Sequence, residues 1–352
     1  MTVTLRVALL GAGQMSRMHT AASRQAGGID VVGIYDQDFE RASARASDLS
    51  IPRVYRSWPE LLGDATVDCV VILLPHDLHA KFGIEALEAG KHVVSEKPLA
   101  HSVADCDRML ATAARVGRKL LPVHNRVYDY AAERMAEIVR SGAIGEVILA
   151  QTNGYEGPGT VGVRPWLATK AGGGGVLLAQ AVHPAYVLRW ILGDVARVGC
   201  LFGDLKVVDM TSEDTAIATL KFATGALAEM TATFGIAHGP FDHSIALHGR
   251  DGYLTLGMNQ TGDRQAHPHV LHAISPKLFG DKALHEVEIK PSESWGTGFR
   301  RLWEDYRAAL VEDRPTRVTG DDGKKAVEII VAAYHANATG RVVDLPLTDP
   351  SL

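Results

Sequence analysis

Only three cysteines, Cys69, Cys106 and Cys200, occur in 352 residues. Widely spaced and odd in number, they make neither a disulfide framework nor a zinc knuckle, and their scarcity suits a reducing compartment. Long apolar runs are lacking too. Stretches such as residues 69–74 fall far short of the roughly 20 residues that cross a bilayer, so no transmembrane helix is expected. The chain passes from Met1-Thr2-Val3-Thr4-Leu5-Arg6 straight into an apolar strand. That leaves no room for a secretory leader and makes the cytoplasm the expected location. Neither sign of charge dominates: 36 basic and 41 acidic residues give a formal charge of −5 without a run of either sign, whereas a nucleic-acid binder carries a basic excess. Internal repeats and low-complexity tracts are missing as well. What is present is a composition 46% hydrophobic and 22% charged, that of a globular chain with core enough for two domains, and 35 glycines whose places carry meaning.

Up to about residue 122, short apolar runs at 5–10, 31–35, 67–74, 92–95 and 119–123 alternate with helical patterns at 16–25, 39–49, 78–89 and 103–116. This alternation predicts α/β structure, a doubly wound parallel sheet covered on both faces. Beyond it the period changes. Helical patterns at 131–141, 175–192, 297–311 and 323–338 accompany two-fold alternation at 216–222, 227–234, 242–248 and 253–256, with a last short strand at 341–345. Period two with short turns predicts an α+β domain on a mainly antiparallel, open sheet. The expected division is residues 1–122 and 123–352.

Immediately after the first strand stands Gly11-Ala12-Gly13-Gln14-Met15-Ser16, opening the first helix. A glycine-rich turn means little by itself. Between a strand and a helix, it is where a dinucleotide pyrophosphate meets the unpaired N–H groups of a helix end. Gly11 permits the tight turn and Gly13, without a Cβ, lets the phosphates approach, while Ser16 stands where a third glycine is usual. Asp36 follows the second strand in Gly33-Ile34-Tyr35-Asp36-Gln37-Asp38. A carboxylate there accepts both ribose hydroxyls of NAD and repels the 2′-phosphate of NADP, which favours NAD. The plainer use of such an aspartate is to cap or shape the turn.

Lys97, in Glu96-Lys97-Pro98, lies beyond the carboxyl end of a strand, where ligands of open α/β sheets bind. Most lysines are solvated surface charges. In an enclosed site this one would lose hydration, its pKa would fall, and it could take the proton of a hydroxyl that gives up hydride. Several segments now fall together: Gly11-Ala12-Gly13, His76-Asp77-Leu78-His79-Ala80, Glu85-Ala86-Leu87-Glu88-Ala89-Gly90-Lys91-His92-Val93 and Glu96-Lys97-Pro98-Leu99-Ala100. They resemble the Gfo/Idh/MocA family, named for glucose-fructose oxidoreductase, inositol dehydrogenase and rhizopine catabolism. His124-Asn125-Arg126, Gly142-Ala143-Ile144-Gly145-Glu146-Val147, Gly172-Gly173-Gly174-Gly175-Val176-Leu177-Leu178 and the closing Gly340-Arg341-Val342-Val343-Asp344-Leu345-Pro346 extend the resemblance over nearly the whole chain.

The resemblance implies an NAD(P)-dependent enzyme that passes hydride between a nicotinamide and a carbinol of a sugar, polyol or glycoside-like compound. Cofactor contacts then fall at Gly11, Gly13, Gln14, Met15 and Asp36, and at Pro75, His79, Glu96, Lys97 and Asn125. Lys97 and His183 become the catalytic residues. The family pattern on the later helix is Asp-x-x-x-His-x-x-Asp, but Ala179 and Tyr186 flank the retained His183 here, so both acids are gone. Positions 179 and 183 share a helix face; a carboxylate at 179 would orient His183, and alanine cannot. His183 must then act alone or borrow Gln180, Tyr186 or Tyr155, and its plainer role is packing ahead of Pro184. Arg126 stands as a substrate contact or a structural arginine. Tyr155, Arg164 and Trp166, around the Gly/Pro-rich loop 154–165, stack a sugar ring or anchor the loop. The missing acids also leave open a redox-neutral elimination or epimerisation through transient oxidation by bound NAD, and a catalytically silent dinucleotide-binding subunit.

His267, His269 and His272 match no firm zinc spacing, and no Cys, Asp or Glu joins them, so no metal is expected. The alternating sheet of the second domain is large for a one-sided core. Its outer face is expected to pack on another subunit, giving a homodimer or homotetramer.

Overall fold

Continuous apolar strands can be buried on both faces only if helices cover both, which is how the first part of the chain folds. The computed structural model describes residues 4–162, 164–203, 205, 209–236, 242–258, 269–291, 294 and 296–348. In chain order come β1 (Leu5–Leu10), α1 (Gln14–Ala26), β2 (Ile29–Tyr35), α2 (Phe39–Leu49), α3 (Trp58–Gly63), β3 (Cys69–Ile72), α4 (His79–Glu88), β4 (His92–Ser95), α5 (Val103–Val116) and β5 (Leu120–Pro122). The five strands pair in parallel in the order β2-β1-β3-β4-β5. The order reverses at β1, with β2 on one side and β3 on the other, so a crevice opens beyond the carboxyl ends of β1 and β3. Ser57 and Ser102 cap α3 and α5 through their side chains, and Asp38 caps α2.

The second part begins with α6 (Tyr130–Arg140), β6 (Val147–Tyr155) and the short α7 (Gly159–Gly162). A π-helical turn, Leu177–Ala181, runs into α8 (Val182–Leu192), where a single helix over 175–192 was expected. Then follow β7 (Val195–Gly203), β8 (Thr215–Phe222), β9 (Leu227–Thr233), β10 (Ile245–Gly249), β11 (Tyr253–Met258), β12 (His269–Ile274), α9 (Pro276–Phe279), β13 (His285–Glu286), α10 (Thr297–Glu312), α11 (Gly320–Thr339) and β14 (Val343–Asp344). Nine strands form one sheet in the order β13-β12-β11-β10-β6-β9-β8-β7-β14. Only β6 and β9 pair in parallel; the other described pairs are antiparallel. Alternation separates the two faces: on β8, Ala216, Ala218, Leu220 and Phe222 are buried, while Ile217 is 50% exposed between them. Helices α6 and α8 and the π turn pack on this sheet, and Leu149, Leu201, Ile217 and Leu227 remain exposed.

Two compact units divide the chain: residues 1–125 with 298–324, and residues 126–297 with 325–352. The single cut expected after residue 122 differs in one important respect, because 298–324 returns to the first unit. Its aromatic side chains explain the return. Trp303 and Tyr306 are fully buried; the Tyr306 hydroxyl donates to the Pro122 carbonyl, the Trp303 N–H to His19, and Arg307 to the Gly28 carbonyl. Among the described residues, no helix is long and apolar enough to cross a membrane.

Candidate active site

In the first unit the turn after β1 is built around Gly11. Its φ is +111°, and a Cβ would lie 2.5 Å from the Leu73 carbonyl oxygen, so only glycine fits between the ends of β1 and β3. A Cβ on Gly13 would meet nothing within 4 Å, which marks open space over the start of α1. Helix α1 begins at Gln14, two residues before the start expected from sequence, with Gly13 as N-cap and no acid in its first turn. By contrast α2, α3 and α5 each carry a side-chain cap and an acid there. The N-terminus of α1 thus keeps its N–H groups and dipole for an external anion at the crevice, as does that of α4, which likewise lacks a side-chain cap and a first-turn acid. Gln14 is exposed and Met15 half-buried beside this opening, and Ser16, in the third-glycine place, is fully buried with its hydroxyl donating to the Gly13 carbonyl.

Asp36 is brought to the same turn. It is 6% exposed; one oxygen accepts the Ala12 N–H at 2.9 Å, and the other accepts the Asp38 N–H at 3.0 Å and Arg41 at 2.6 Å. The aspartate therefore shapes the turn, as its plainer reading holds.

Lys97 follows β4, half-buried, with its backbone N–H donating to Glu96 Oε2 at 3.1 Å. The other Glu96 oxygen lies 3.0 Å from His19 Nε2. Burial pushes the Glu96 carboxyl up, but the His19 hydrogen bond and the Lys97 charge outweigh it and hold it below the usual carboxylate range. His79, fully buried, lies 2.8 Å from the Pro98 carbonyl oxygen and 2.9 Å from that of Leu74, tying the ends of β3 and β4 together. Burial pushes its pKa down, which favours the neutral ring donating to one carbonyl at a time. Pro75 opens the turn that precedes α4, and Asn125 closes the first stretch of this unit.

The second unit joins three of the expected residues. The His183 Nδ1 lies 2.8 Å from the Tyr186 hydroxyl, which accepts the Arg126 backbone N–H at 3.3 Å. The Tyr186 phenol thus holds the His183 ring through Nδ1. His183 and Tyr186 are 9% and 3% exposed. The Arg126 guanidinium donates to His243 Nδ1 at 2.7 Å, which leaves the His243 proton on Nε2, 3.3 Å from Glu156. Burial, and then the Arg126 charge, pushes the His243 pKa down. Gln180 and Ala179 are buried in the π turn; such turns inside helices recur at functional sites. Tyr155 is oriented differently. Its hydroxyl bonds to Thr231, and residue alternation along β6 sets it opposite the buried Thr152. Arg164 and Trp166 are half-buried around the turn Pro165–Ala168.

Sequence reasoning passed over His19, Trp303, Glu156 and His243. A signal existed for His19: Ser16, His19, Thr20 and Ser23 make a polar stripe on the buried face of α1, where apolar residues are the rule. No comparable pattern marks the others. His269 and His272 sit in the β12 ladder opposite Met258 and Thr255, and His267 lies outside the described residues. Among the described residues, no group of three His, Cys, Asp or Glu is placed to hold a metal ion. Burial pushes all three thiols up, that of Cys200 to about 12, so none is a ready nucleophile.

Comparison with known proteins agrees with this geometry. Residues 5–124 match an oxidoreductase family with an NAD-binding Rossmann fold, GFO/IDH/MocA, and residues 132–255 match the GFO/IDH/MocA C-terminal domain. A 1-carboxy-3-chloro-3,4-dihydroxycyclohexa-1,5-diene dehydrogenase of Comamonas testosteroni is 30% identical over 296 residues, covering 83% of this chain and 72% of its own. The chain belongs to the Gfo/Idh/MocA family. Another Gfo/Idh/MocA-like relative, the 1,5-anhydro-D-fructose reductase of Ensifer adhaerens, is 27% identical over 350 residues, covering 97% of this chain and 98% of its own. The crystal structure of the WlbA dehydrogenase from Bordetella pertussis, in complex with NADH and UDP-GlcNAcA, shares the fold at a TM-score of 0.83 and 24% identity, covering 98% of each chain. As a Gfo/Idh/MocA protein the chain is an NAD(P)-dependent dehydrogenase acting on CH–OH groups, with a nicotinamide cofactor.

Proposed function

We propose that this enzyme oxidises a carbinol of a sugar, polyol or glycoside with NAD, and that Lys97 and His183 handle the substrate proton. The observation that carries the reading is the start of α1, uncapped by any side chain, free of acids and open above Gly13, with Asp36 beside it. That set fits a dinucleotide pyrophosphate and its ribose. The cofactor, when bound, accepts the hydride, so that CH–OH and NAD⁺ become C=O, NADH and a proton.

The chain's own residues do the rest. The N–H groups of α1 hold the pyrophosphate. The Asp36 carboxylate accepts ribose hydroxyls and repels a 2′-phosphate, and Arg41, which could attract that phosphate, is already paired with Asp36; both points favour NAD over NADP. Lys97 and His183 receive the alcohol proton, an aid typically of about 10²- to 10⁴-fold. Tyr186 keeps the His183 ring in orientation, and Arg126, held by His243, offers hydrogen bonds to substrate oxygens. Relatives named for 1,5-anhydro-D-fructose and solved with UDP-GlcNAcA support a carbohydrate-like substrate. The exposed Leu149, Leu201, Ile217 and Leu227 support a homodimer or homotetramer formed through the open sheet face. Purified protein offered sugars, polyols and glycosides should reduce NAD with at least one, and Lys97→Met should stop it. No turnover with either cofactor across the panel, or full activity in Lys97→Met, contradicts the reading.

A further inference from the structure

We infer that Trp303, His19 and Glu96 form a buried positioning relay that fixes the Lys97 segment from behind and holds it in register with α1. The inference rests on the reading of Lys97 as a proton-handling residue. Three hydrogen bonds in series build the relay: Trp303 Nε1 to His19 Nδ1 at 3.2 Å, His19 Nε2 to Glu96 Oε1 at 3.0 Å, and the Lys97 backbone N–H to Glu96 Oε2 at 3.1 Å. Chemistry sets their direction. An indole nitrogen only donates, so His19 Nδ1 must present its lone pair, and the one proton of the neutral ring sits on Nε2, aimed at the carboxylate. Without the indole, either nitrogen could carry that proton, and a ring protonated on Nδ1 would turn a lone pair towards Glu96.

The relay is sealed from water. His19 and Trp303 are fully buried and Glu96 is 7% exposed. Phe299 and Trp303 meet the imidazole edge-on, with centroids 5.3 Å and 5.9 Å away. A carboxylate this deep is tolerated only where donors and opposite charge meet it, so it stays where His19 and the Lys97 N–H converge. Its three members come from α1, from the segment after β4 and from α10. One of them, His19, lies on the helix whose N-terminus is the proposed pyrophosphate site. The return of α10 to the first unit therefore does more than fill a core: its indole selects the histidine tautomer that locks Glu96, and Glu96 in turn holds the backbone of the proton-handling lysine. None of the three touches substrate; they position Lys97.

The test compares wild type with Trp303→Phe, His19→Leu and His19→Gln, and with Lys97→Met as the reference, in full kinetics on NAD and a turned-over substrate. Trp303→Phe and His19→Leu should lower kcat by about 10-fold or more, keep the KM for NAD within about 3-fold, and displace the pH profile of kcat. His19→Gln, whose amide N–H can replace the Nε2–H, should recover most of kcat. Hydrogen exchange over residues 92–100 should quicken in His19→Leu and Trp303→Phe and stay slow in His19→Gln, a readout that needs no turnover. Unchanged kcat, pH profile and exchange in folded His19→Leu and Trp303→Phe overturn the relay, as does an equal loss in His19→Gln and His19→Leu. If Lys97→Met keeps full activity while exchange still follows the relay, the reading of Lys97 is what fails.

Discussion

Asp36 shapes the turn after β1 and, in the proposed function, serves the cofactor with the same carboxylate. One oxygen receives the Ala12 N–H and the other receives Arg41, so on that proposal the turn over the pyrophosphate and the charge at the ribose are set together. Arg41, with its side chain 52% exposed, is the cation nearest to hand for a 2′-phosphate once Asp36 is removed. Asp36→Ser should therefore raise the ratio of kcat/KM for NADP to that for NAD by about 100-fold, or about 2.7 kcal/mol; a ratio that does not rise contradicts this account of Asp36. A second residue, His92, sets a pH limit. Burial, and then the charges of Arg118 and Lys119, push its pKa down to about 4, and its Nδ1 accepts the Lys119 N–H, which the protonated ring could not do. The folded pKa lies below the unfolded one, so this stability is complete above about pH 6.5 and is lost as pH falls towards about 4. Chemical unfolding across that window should show wild type losing more stability than His92→Gln; equal losses contradict it. That Asp36 follows β2 and Lys97 follows β4 was legible because each stands at a fixed distance from a strand end. His19 and Trp303 were not, since their partners lie 77 and 284 residues away.

Among the elements, the helix that carries His183 owes its start to a buried acid. Glu213 accepts the Leu177 N–H at 3.0 Å and the Tyr334 hydroxyl at 2.8 Å, and a Cβ on Gly175, at φ +106°, would lie 2.2 Å from its oxygen. Burial pushes the Glu213 pKa up. A raised folded pKa means that stability is complete below the unfolded carboxylate pKa and is lost as pH rises through the folded one. Glu213→Gln keeps the acceptor and drops the charge, so its Tm relative to wild type should be higher at about pH 8 than at about pH 5; the reverse order contradicts the argument. The strands of the first unit were readable because burial on both faces makes them continuously apolar. β8 and β9 were readable from their clean alternation. β7 escaped, because its buried and half-exposed residues follow no two-residue period. The division of the helix over 175–192 into a π turn and α8 also escaped, for it depends on Glu213 meeting Leu177 from elsewhere in the chain.

For the whole molecule, the division into two kinds of sheet was visible in the change of period near residue 122, but the path of the chain was not. The return of 298–324 to the first unit depends on where Trp303 and Tyr306 find their hydrogen-bond partners, and no local pattern records that. The open sheet face makes its own prediction: light scattering should report about two or four times the 37.8 kDa chain mass, and Leu201→Glu with Ile217→Lys should lower it. A monomeric wild type contradicts that use of the face. Hydride transfer itself is the most direct test of the central claim. With a substrate deuterated at its carbinol carbon, NMR of the recovered cofactor should find deuterium at C4 of NADH for wild type and none for Lys97→Met. Tight NAD binding with no label transferred from any sugar, polyol or glycoside offered would contradict it.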